Sequence, residues 1–327
     1  MNALSFSLSE LEATAALVNS VVPPTPQYSW PLLSRRAGAD VWVKHENHTI
    51  IGAFKVRGGI VFVDDLMRSQ TAVKGLISGT RGNHGQSLGF AAKRYGLPCV
   101  LVVPHGNSRD KNAAMRAQGV ELIEYGDDFQ AGKEYVDQLA KERGLFRVPP
   151  FHPVLVRGVS TYSLEFFRAV PDLDTVYVPI GMGSGICGAI VAREALGLKT
   201  KIVGVVSASA PAYALSFAAG RAVSHAVSTR IADGVAIRQP DELALSLIMK
   251  NVERIVQVTD HEVEAAMRAY FSDIHNVAEG AGAAGLAALL QEREKMLGRK
   301  VGLVLTGGNV DMDVFARVLE GAAVTAA

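Results

Sequence analysis

One lysine in the sequence follows an apolar run, a setting in which its amine could take part in chemistry. Lys55 comes directly after IIGAF, residues 50–54, and shortly before Gly58 and Gly59, within the segment HTIIGAFKVRGG. Because removal from water disfavours the charged ammonium form, an apolar setting lowers the pKa of a lysine. Such an amine can act as a nucleophile toward a carbonyl group or as a base near neutral pH. The alternative is that Lys55 is a surface charge at the start of a helix.

A glycine-rich loop is a second candidate site. The segment GMGSGICG (181–188) joins the apolar run TVYVPI to the helix-like segment GAIVAREALG. In such a unit the backbone N–H groups at the helix N-terminus can bind a phosphate. Residues 183–188 also match the dinucleotide pattern G-x-G-x-x-G, but the next strand, KIVGVVSAS, lacks the acidic residue that would hold the ribose. The loop therefore predicts a phosphate monoester site rather than a nicotinamide dinucleotide site.

Two further glycine-containing loops carry polar side chains. The segment SGTRGNHGQS contains Thr80, Asn83 and His84 among backbone N–H groups that suit a carboxylate or another anion. The segment LTGGNVD (305–311) places Thr306 at the end of an apolar strand, where α/β sheets bind their ligands. Together with the amine, these loops predict a phosphate-bearing cofactor that needs a lysine.

These segments lie in a regular alternation of strand and helix signals. Strand-like runs such as DVWVKHE, KGLISGT and CVLVVP alternate with helix-like segments such as GIVFVDDLMRS (59–69) and GQSLGFAAKRYG (85–96). A second series follows the proline-rich segment PPFHP (149–153) and ends with GAAGLAALLQEREKMLG (282–298) and the strand-like VGLVLTG. Repeated strand–helix order indicates parallel sheets covered by helices. We therefore expect an α/β fold in two lobes, with PPFHP as a crossing between them.

Composition and charge indicate a globular protein that acts on small molecules. The 327 residues are 49% apolar and 20% charged with a formal net charge of +1, which implies no nucleic-acid-binding surface. No uncharged apolar run is long enough to span a membrane, and residues 1–20 lack a basic signal-like segment, so we expect a cytoplasmic protein without a membrane partner. Cys99 and Cys187 lie far apart in apolar runs, and we expect both to be reduced and buried.

Six motifs follow one another along the chain, namely GAFKVRGG, TRGNHGQS, GMGSGICG, IADGVAIRQPDEL, AEGAGAAGLAAL and LTGGNVD. In this order they resemble the fold-type II pyridoxal-phosphate (PLP) enzymes, and within them the threonine/serine dehydratase and serine racemase branch. The resemblance implies a two-lobed α/β fold like that of the tryptophan synthase β chain, each lobe a parallel-rich sheet with helices on both faces. It also implies a large cofactor-binding domain, residues 1–65 plus 154–327, and a small domain, residues 66–153.

The same resemblance gives roles to individual residues. Lys55 would form a Schiff base with PLP, and Thr306 would meet the pyridine nitrogen. The residues expected to bind the cofactor are Phe54, Lys55, Asn83, Gly181, Met182, Gly183, Ser184, Gly185 and Thr306. The residues expected to bind the substrate are Thr80, Arg81, Gly82, Asn83 and His84. Glu279 matches a family glutamate near the active site, and its role stays open.

The reaction implied by the resemblance is an α,β-elimination. A PLP-dependent dehydratase would convert a β-hydroxy amino acid such as L-threonine or L-serine to a 2-oxo acid and ammonia. A hydroxyl at the ring nitrogen, unlike a carboxylate, would not stabilise a pyridinium, and this favours prompt loss of the β-substituent. The alternatives are a dehydratase for phenylserine or 3-hydroxyaspartate and a serine- or aspartate-type racemase. A dinucleotide-dependent oxidoreductase is disfavoured by the missing acidic residue, and a catalytically silent ligand sensor is disfavoured by Lys55.

Three features depart from the family pattern. Arg81 stands where serine racemases place a serine that exchanges a proton, and a guanidinium is a poor acid–base group, so we predict weak or absent racemisation. Arg81 could instead bind a distal substrate carboxylate, or it could contact solvent, the α-carboxylate or a protein carboxylate. The segment VSASAPA (206–212) lacks the carboxylates of metal-binding members, so we predict no divalent metal there. His45 and His48 could line the substrate pocket or be ordinary structural histidines.

The resemblance carries two further expectations. A homodimer is expected because dimers are common in the family, and the expected ligand is a small amino acid. The chain ends soon after LTGGNVD, which leaves no room for the regulatory domain of biosynthetic threonine dehydratases. We therefore expect no feedback control through such a domain.

Overall fold

Two predominantly parallel β-sheets form the framework of the protein. The computed structural model describes residues 4–69, 72–126 and 129–321. The strands of these residues are β1 (Gln27–Ser29), β2 (Asp40–His45), β3 (Leu76–Gly79), β4 (Cys99–Val103), β5 (Glu121–Glu124), β6 (Phe146–Arg147), β7 (Thr175–Pro179), β8 (Lys201–Ser207), β9 (Arg254–Val258) and β10 (Lys300–Leu305).

The two sheets have simple strand orders. The larger sheet has six strands in the order β1-β2-β10-β7-β8-β9, and the smaller sheet has four in the order β5-β4-β3-β6. Neighbouring strands are parallel, except that β1 runs antiparallel to β2. Buried strands such as β7 read as continuous apolar runs, because the strands of a parallel sheet are covered on both faces.

Helices occupy most of the connections between strands. They are α1 (Leu8–Asn19), α2 (Pro31–Ala37), α3 (Lys55–Ser69), α4 (Asn83–Arg94), α5 (Arg109–Ala117), α6 (Phe129–Arg143), α7 (Pro153–Ala169), α8 (Ser184–Ala195), α9 (Ala212–Ala219), α10 (Glu242–Asn251), α11 (Asp260–Ile274), α12 (Gly280–Gln291), α13 (Arg293–Met296) and α14 (Met312–Glu320). Short 3-10 helices span Glu46–His48 and Asp233–Val235.

Helices cover both faces of the larger sheet. Tyr177 of β7 packs into one core with residues of α11 and α12, whereas its neighbours Val176 and Val178 pack into another core with residues of α7 and α8. This division follows from the alternation of side chains along a strand. The predicted α/β class with parallel-rich sheets and helices is therefore confirmed.

The two sheets come from different parts of the chain. The strands β3 to β6 lie between residues 76 and 147, whereas the larger sheet is built from residues 27–45 and 175–305. This order is compatible with the small domain proposed at residues 66–153. The boundaries of the two domains stay a prediction.

Close packing explains why α3 extends further than the sequence pattern suggests. The helix begins at Lys55 rather than near residue 59, so it includes Gly58 and Gly59 despite their low helix propensity. A Cβ atom at Gly58 would lie 3.0 Å from the carbonyl oxygen of Leu155 in α7. The glycines thus permit the close approach of α3 to α7, and this packing outweighs their intrinsic preference.

Two other helix boundaries differ from the sequence pattern. The crossing PPFHP leads directly into α7, whose first residue is Pro153, because a proline needs no backbone partner in the first turn. The ring nitrogen Nδ1 of His152 accepts a hydrogen bond from Val154 N at 3.2 Å and caps this helix. The segment 282–298 is divided into α12 and α13 at Glu292, whose carboxylate accepts hydrogen bonds from Tyr177 and Arg254.

The cysteines and helices agree with a protein built around apolar cores. Cys99 and Cys187 are free and buried, as predicted. Burial raises the pKa of the Cys99 thiol to about 12. None of the helices in the described ranges combines the length and the apolar character that crossing a membrane requires.

A buried cluster of four charged residues, Arg57, Glu46, Glu165 and Lys44, fixes the start of α3. Arg57 donates to both carboxylate oxygens of Glu46 at 2.8 and 3.0 Å and of Glu165 at 2.7 and 3.0 Å. Lys44 of β2 donates to Glu165 of α7 at 2.6 Å. Although burial disfavours the charge of Arg57, Glu46 and Glu165 raise its pKa. The Arg57 cluster therefore pairs two cations with two anions and joins β2, α3 and α7.

We predict that Arg57→Met lowers the free energy of unfolding by about 3–5 kcal/mol, because it leaves two buried carboxylates without their shared partner. Urea denaturation at neutral pH measures this change. Arg68→Met is the matched control on the same helix, since the Arg68 side chain is 75% exposed and pairs with Asp64. The control should cost less than about 1 kcal/mol. Equal losses for the two variants would contradict the assigned importance of the Arg57 cluster.

Candidate active site

Lys55 is the first residue of α3, and its amine faces the glycine loop after β7. Its Nζ atom donates a hydrogen bond to Ser184 Oγ at 3.0 Å and lies 4.9 Å from the centre of the Phe54 ring. Burial lowers the pKa of Lys55 to about 8, although the charge of Glu279 acts in the opposite direction. A larger fraction of the amine is therefore unprotonated near neutral pH than in an ordinary exposed lysine, which the surface-lysine alternative would not give.

Three neighbouring segments hold the backbone around Lys55. Phe54 N donates to the carbonyl oxygen of Thr306 at 3.0 Å, and Ala53 pairs with Gly307 in an isolated bridge. Ser87 Oγ of α4 donates to the carbonyl oxygen of Lys55 at 2.6 Å. The lysine is thus fixed between the end of β10 and a helix of the smaller sheet.

The glycine loop forms a cradle at the N-terminus of α8. Gly183 is the N-cap residue with φ of +106°, and no side chain caps the helix there. A Cβ atom at Gly183 would lie 2.6 Å from the Cβ of Ala244, and one at Gly181 would collide with the carbonyl oxygen of Gly234. The first N–H groups of α8 are therefore not capped by a side chain, in the arrangement that binds a phosphate.

The loop after β3 is held by its own threonine. Thr80 Oγ1 accepts hydrogen bonds from Gly82 N and Gly85 N, both at 3.1 Å. Gly82 is the N-cap residue of α4, with no side-chain cap of its own. Arg81 is exposed, and within the described residues it has no hydrogen bond or ion pair. The loop thus presents backbone N–H groups to the site, while the arginine points away from fixed protein partners.

His84 borders the same cleft as Lys55. Its Nε2 atom is buried and has no hydrogen-bond partner among the described residues. Burial, and then the charge of Lys55, lower the pKa of His84 to about 3, so the imidazole is neutral. The cleft is lined by Lys55, Gly58, His84, Pro150, Leu155, Val159 and Ser184. The cleft is therefore lined by both polar and apolar residues.

Asn83 and Glu279 are joined by a hydrogen bond within this site. Asn83 Nδ2 donates to Glu279 Oε1 at 2.6 Å, and Asn309 Nδ2 donates to Asn83 Oδ1 at 2.8 Å. Glu279 Oε2 lies 3.2 Å from Lys111 Nζ, which also donates to Asp233 Oδ2 at 2.7 Å. Lys111 was not predicted from the sequence, where it is one of several charges in a helical segment. Asp233 lies in the recognised motif IADGVAIRQPDEL, and that motif was the available signal.

His45 and His48 lie apart from this cleft. His45 is fully buried, and its Nε2 accepts a hydrogen bond from Trp30 Nε1 at 3.0 Å. Its ring stacks on that of His48 with centroids 5.0 Å apart, and burial lowers its pKa to about 4. His48 Nε2 is 2.8 Å from Asn276 Oδ1. The structural alternative for these histidines fits this packing better than a place in the pocket.

Most residues singled out in the sequence gather at this site, although their individual roles stay predictions. The gathered residues are Phe54, Lys55, Thr80, Gly82, Asn83, His84, Gly181, Met182, Gly183, Ser184, Gly185, Thr306 and, with its role open, Glu279. Arg81 belongs to the same loop but is exposed. In the described part of the chain, no three His, Cys, Asp or Glu side chains are grouped to hold a metal ion.

Comparison with known families agrees with this geometry. A family model described as pyridoxal-phosphate dependent enzyme matches residues 18–307. The chain belongs to this family. Its cofactor is therefore pyridoxal phosphate, and the resemblance drawn from the motifs is confirmed.

Individual relatives are similar over nearly the whole chain. The L-threonine ammonia-lyase of Thermotoga maritima is 32% identical over 309 residues, covering 94% of this chain and 76% of the relative. The L-threo-3-hydroxyaspartate ammonia-lyase of Saccharomyces cerevisiae is 32% identical over 305 residues, covering 93% of each chain. The structure of maize serine racemase superposes with a TM-score of 0.88 at 26% identity, covering 97% of this chain and 98% of the racemase.

The residues of the site fit pyridoxal phosphate. The N-terminus of α8, which no side chain caps, offers backbone donors for a phosphate, and the glycines at 181 and 183 let the loop pack closely against Gly234 and Ala244. The amine of Lys55 lies 3.0 Å from Ser184 Oγ, on the first residue of that helix. A cofactor whose phosphate is bound by α8 would therefore have its aldehyde within reach of this amine. Asn83 and Thr306 are then the candidates for the ring substituents.

We predict that Lys55 titrates with an apparent pKa near 8 in the cofactor-free protein, well below 10.5. The rate of reductive methylation of Lys55, followed by peptide mass spectrometry from pH 6 to 11, measures this value. Because the Glu279 charge stabilises the ammonium form, Glu279→Gln should move the midpoint to lower pH. A midpoint near 10.5 in the wild-type protein, or an upward shift in Glu279→Gln, would contradict the electrostatic description of the site.

Proposed function

We propose that this protein is a PLP-dependent ammonia-lyase that converts a β-hydroxy amino acid, such as L-threonine or L-serine, to a 2-oxo acid and ammonia. The observation that supports this proposal best is the buried amine of Lys55, which has a pKa near 8 and lies 3.0 Å from the first residue of α8. The relatives named as threonine and hydroxyaspartate ammonia-lyases give the same reaction class.

The cofactor supplies the electron sink for the electron pair that remains when the proton on Cα of the amino acid is removed. Lys55 Nζ is the base that accepts this proton, since its lowered pKa leaves part of it unprotonated at neutral pH. His84 is neutral, so it places no second positive charge beside Lys55. Thr306 is buried just after β10 and would offer the pyridine nitrogen a neutral hydroxyl. A carboxylate at this position would instead stabilise a protonated ring nitrogen.

The loop with Thr80 orients the substrate. Its threonine hydroxyl is already used by Gly82 N and Gly85 N, so it stiffens the turn. The remaining N–H groups at the start of α4 are suited to the α-carboxylate of the amino acid, because a helix N-terminus favours an anion. Holding the carboxylate there would bring Cα near the amine of Lys55, because His84 of α4 and Lys55 border the same cleft.

A racemase is the second candidate, favoured by the similarity to maize serine racemase. Arg81 argues against it, because its guanidinium cannot lose a proton at neutral pH. A dehydratase for an acidic substrate such as 3-hydroxyaspartate also remains within the proposal, since a yeast relative carries that name. We also propose amino-acid catabolism and a homodimer, which rest on the family resemblance, and a cytoplasmic location, which rests on the sequence features given above.

We expect the purified protein with PLP to release ammonia and a 2-oxo acid from L-threonine or L-serine in a panel of β-hydroxy amino acids. Lys55→Ala should lower kcat by at least about 10²-fold, the usual contribution of a general base. Lys93→Ala is the control, since Lys93 is exposed on α4. A coupled dehydrogenase assay measures the 2-oxo acid, and chiral chromatography measures any D-serine formed from L-serine.

Three results of this panel would contradict the proposal. Unchanged turnover in Lys55→Ala would remove the assigned base. Activity on none of the β-hydroxy amino acids, including phenylserine and 3-hydroxyaspartate, would exclude the lyase reaction. Formation of D-serine as fast as pyruvate would favour the racemase.

A further inference from the structure

We propose that Lys111 is a positioning residue of this site, and that it holds the Glu279 carboxylate ionised and aimed at Asn83. Lys111 belongs to α5 of the smaller sheet, whereas Glu279 immediately precedes α12 of the larger sheet. The part played in catalysis rests on the proposed function, while the placement of charge rests on the contacts alone.

Lys111 is built into the site rather than lying at its surface. Its side chain is 8% exposed, and its stem packs against Gly82, where an added Cβ atom would lie 2.6 Å from Lys111 Cδ. Its Nζ atom donates to Asp233 Oδ2 at 2.7 Å and lies 3.2 Å from Glu279 Oε2. A lysine buried to this degree needs such partners, because an unpaired ammonium group would be strongly destabilised.

Five side chains form what we call the inter-sheet ladder, namely Asn309, Asn83, Glu279, Lys111 and Asp233. Successive members alternate between the two halves of the molecule. The first, third and fifth belong to connections of the larger sheet, and the second and fourth belong to α4 and α5 of the smaller sheet. The ladder therefore ties the predicted cofactor and substrate loop to the end of β10.

Glu279 is directed into the ladder and not toward its own helix. It is the N-cap residue of α12, yet its side chain makes no cap hydrogen bond there. The absence of a side chain at Gly307 leaves the space that the carboxylate occupies. Oε1 accepts from Asn83, and Oε2 has the ion pair with Lys111 but no well-aligned hydrogen bond in the described residues.

The charge of Glu279 depends on the groups that face it. Burial raises the pKa of Glu279 above its ordinary value, Lys111 and Asn83 oppose this rise, and the charge of Asp233 adds to it. The other titratable group that faces it is Lys55, whose own pKa is raised by the Glu279 charge. Next to Lys55 lies His84, which is neutral. Ionised Glu279 thus depends on Lys111, and the basicity of Lys55 depends in turn on ionised Glu279.

Two substitutions should move the titration of Glu279 in opposite directions. Lys111→Met removes the nearby positive charge and should raise the midpoint by about 1–3 pH units, the usual effect of an ion partner at this distance. Asp233→Asn removes the like charge and should lower the midpoint. The full-length protein labelled with ¹³C at glutamate carboxyl carbons allows both to be measured by NMR, and Glu279→Gln identifies the resonance.

Matched variants separate positioning from general structural damage. Lys111→Arg keeps the charge and should keep the midpoint near the wild-type value. Arg116→Met, on the same helix, removes an exposed ion pair with Glu124 and should leave the midpoint unchanged. Circular dichroism verifies that each variant is folded, and if Lys111→Met does not fold, Asp233→Asn still tests the proposal.

Shifts in one common direction, or no shift in either variant, would overturn the placement of charge. In the holoenzyme, the midpoint of the acid limb of the kcat/KM–pH profile should move together with the Glu279 midpoint measured by NMR in Lys111→Met. In Lys111→Arg it should lie at the wild-type pH. A uniform loss of kcat at all pH values, with the limb unmoved, would overturn the positioning role. Midpoints that move as expected in a protein without lyase activity would support the charge placement and contradict only the proposed function.

Discussion

The site depends first on the buried pairing of Arg57 with Glu46 and Glu165. Arg57 lies two residues after Lys55 and is fully buried, and its guanidinium holds carboxylates that come from the end of β2 and from α7. Three of the four charges are fully buried and Glu165 is mostly buried, so each needs a partner, and this restricts the geometry of α3. This pairing sets where the helix begins, and the helix sets where the amine of Lys55 lies.

The chemistry of the site follows from a second balance, between burial and charge around that amine. Burial lowers the pKa of Lys55, and Glu279 partly opposes this effect. Glu279 is in turn held between Asn83 and Lys111, which belong to the smaller sheet. The two halves of the molecule therefore share the site electrostatically, and the pKa of Lys55 depends on both of them.

The sequence was sufficient to predict the features that local chemistry determines. Lys55 after an apolar run and the glycines of 181–185 are visible without a structure, because a lysine in an apolar segment and clustered glycines before a helix are both typical of ligand sites. The partners of Arg57 could not be predicted. Glu165 lies more than a hundred residues away, and in the sequence it is one charged residue among others of a helical segment. Lys111 was missed for the same reason, because only tertiary contacts remove it from water. The predicted start of α3 was too late, because the low helix propensity of Gly58 argues against a helix there. In the structure, the close contact of Gly58 with Leu155 outweighs that propensity.

The central claim is that Lys55 is the amine that binds pyridoxal phosphate. The most direct measurement is borohydride reduction of the protein loaded with the cofactor, followed by proteolysis and mass spectrometry of the peptides. The account predicts a single pyridoxyl-phosphate label on Lys55, together with loss of the yellow absorption of the loaded protein. A label on another lysine, such as Lys44 or Lys111, or a protein that stays colourless with added cofactor, would contradict it.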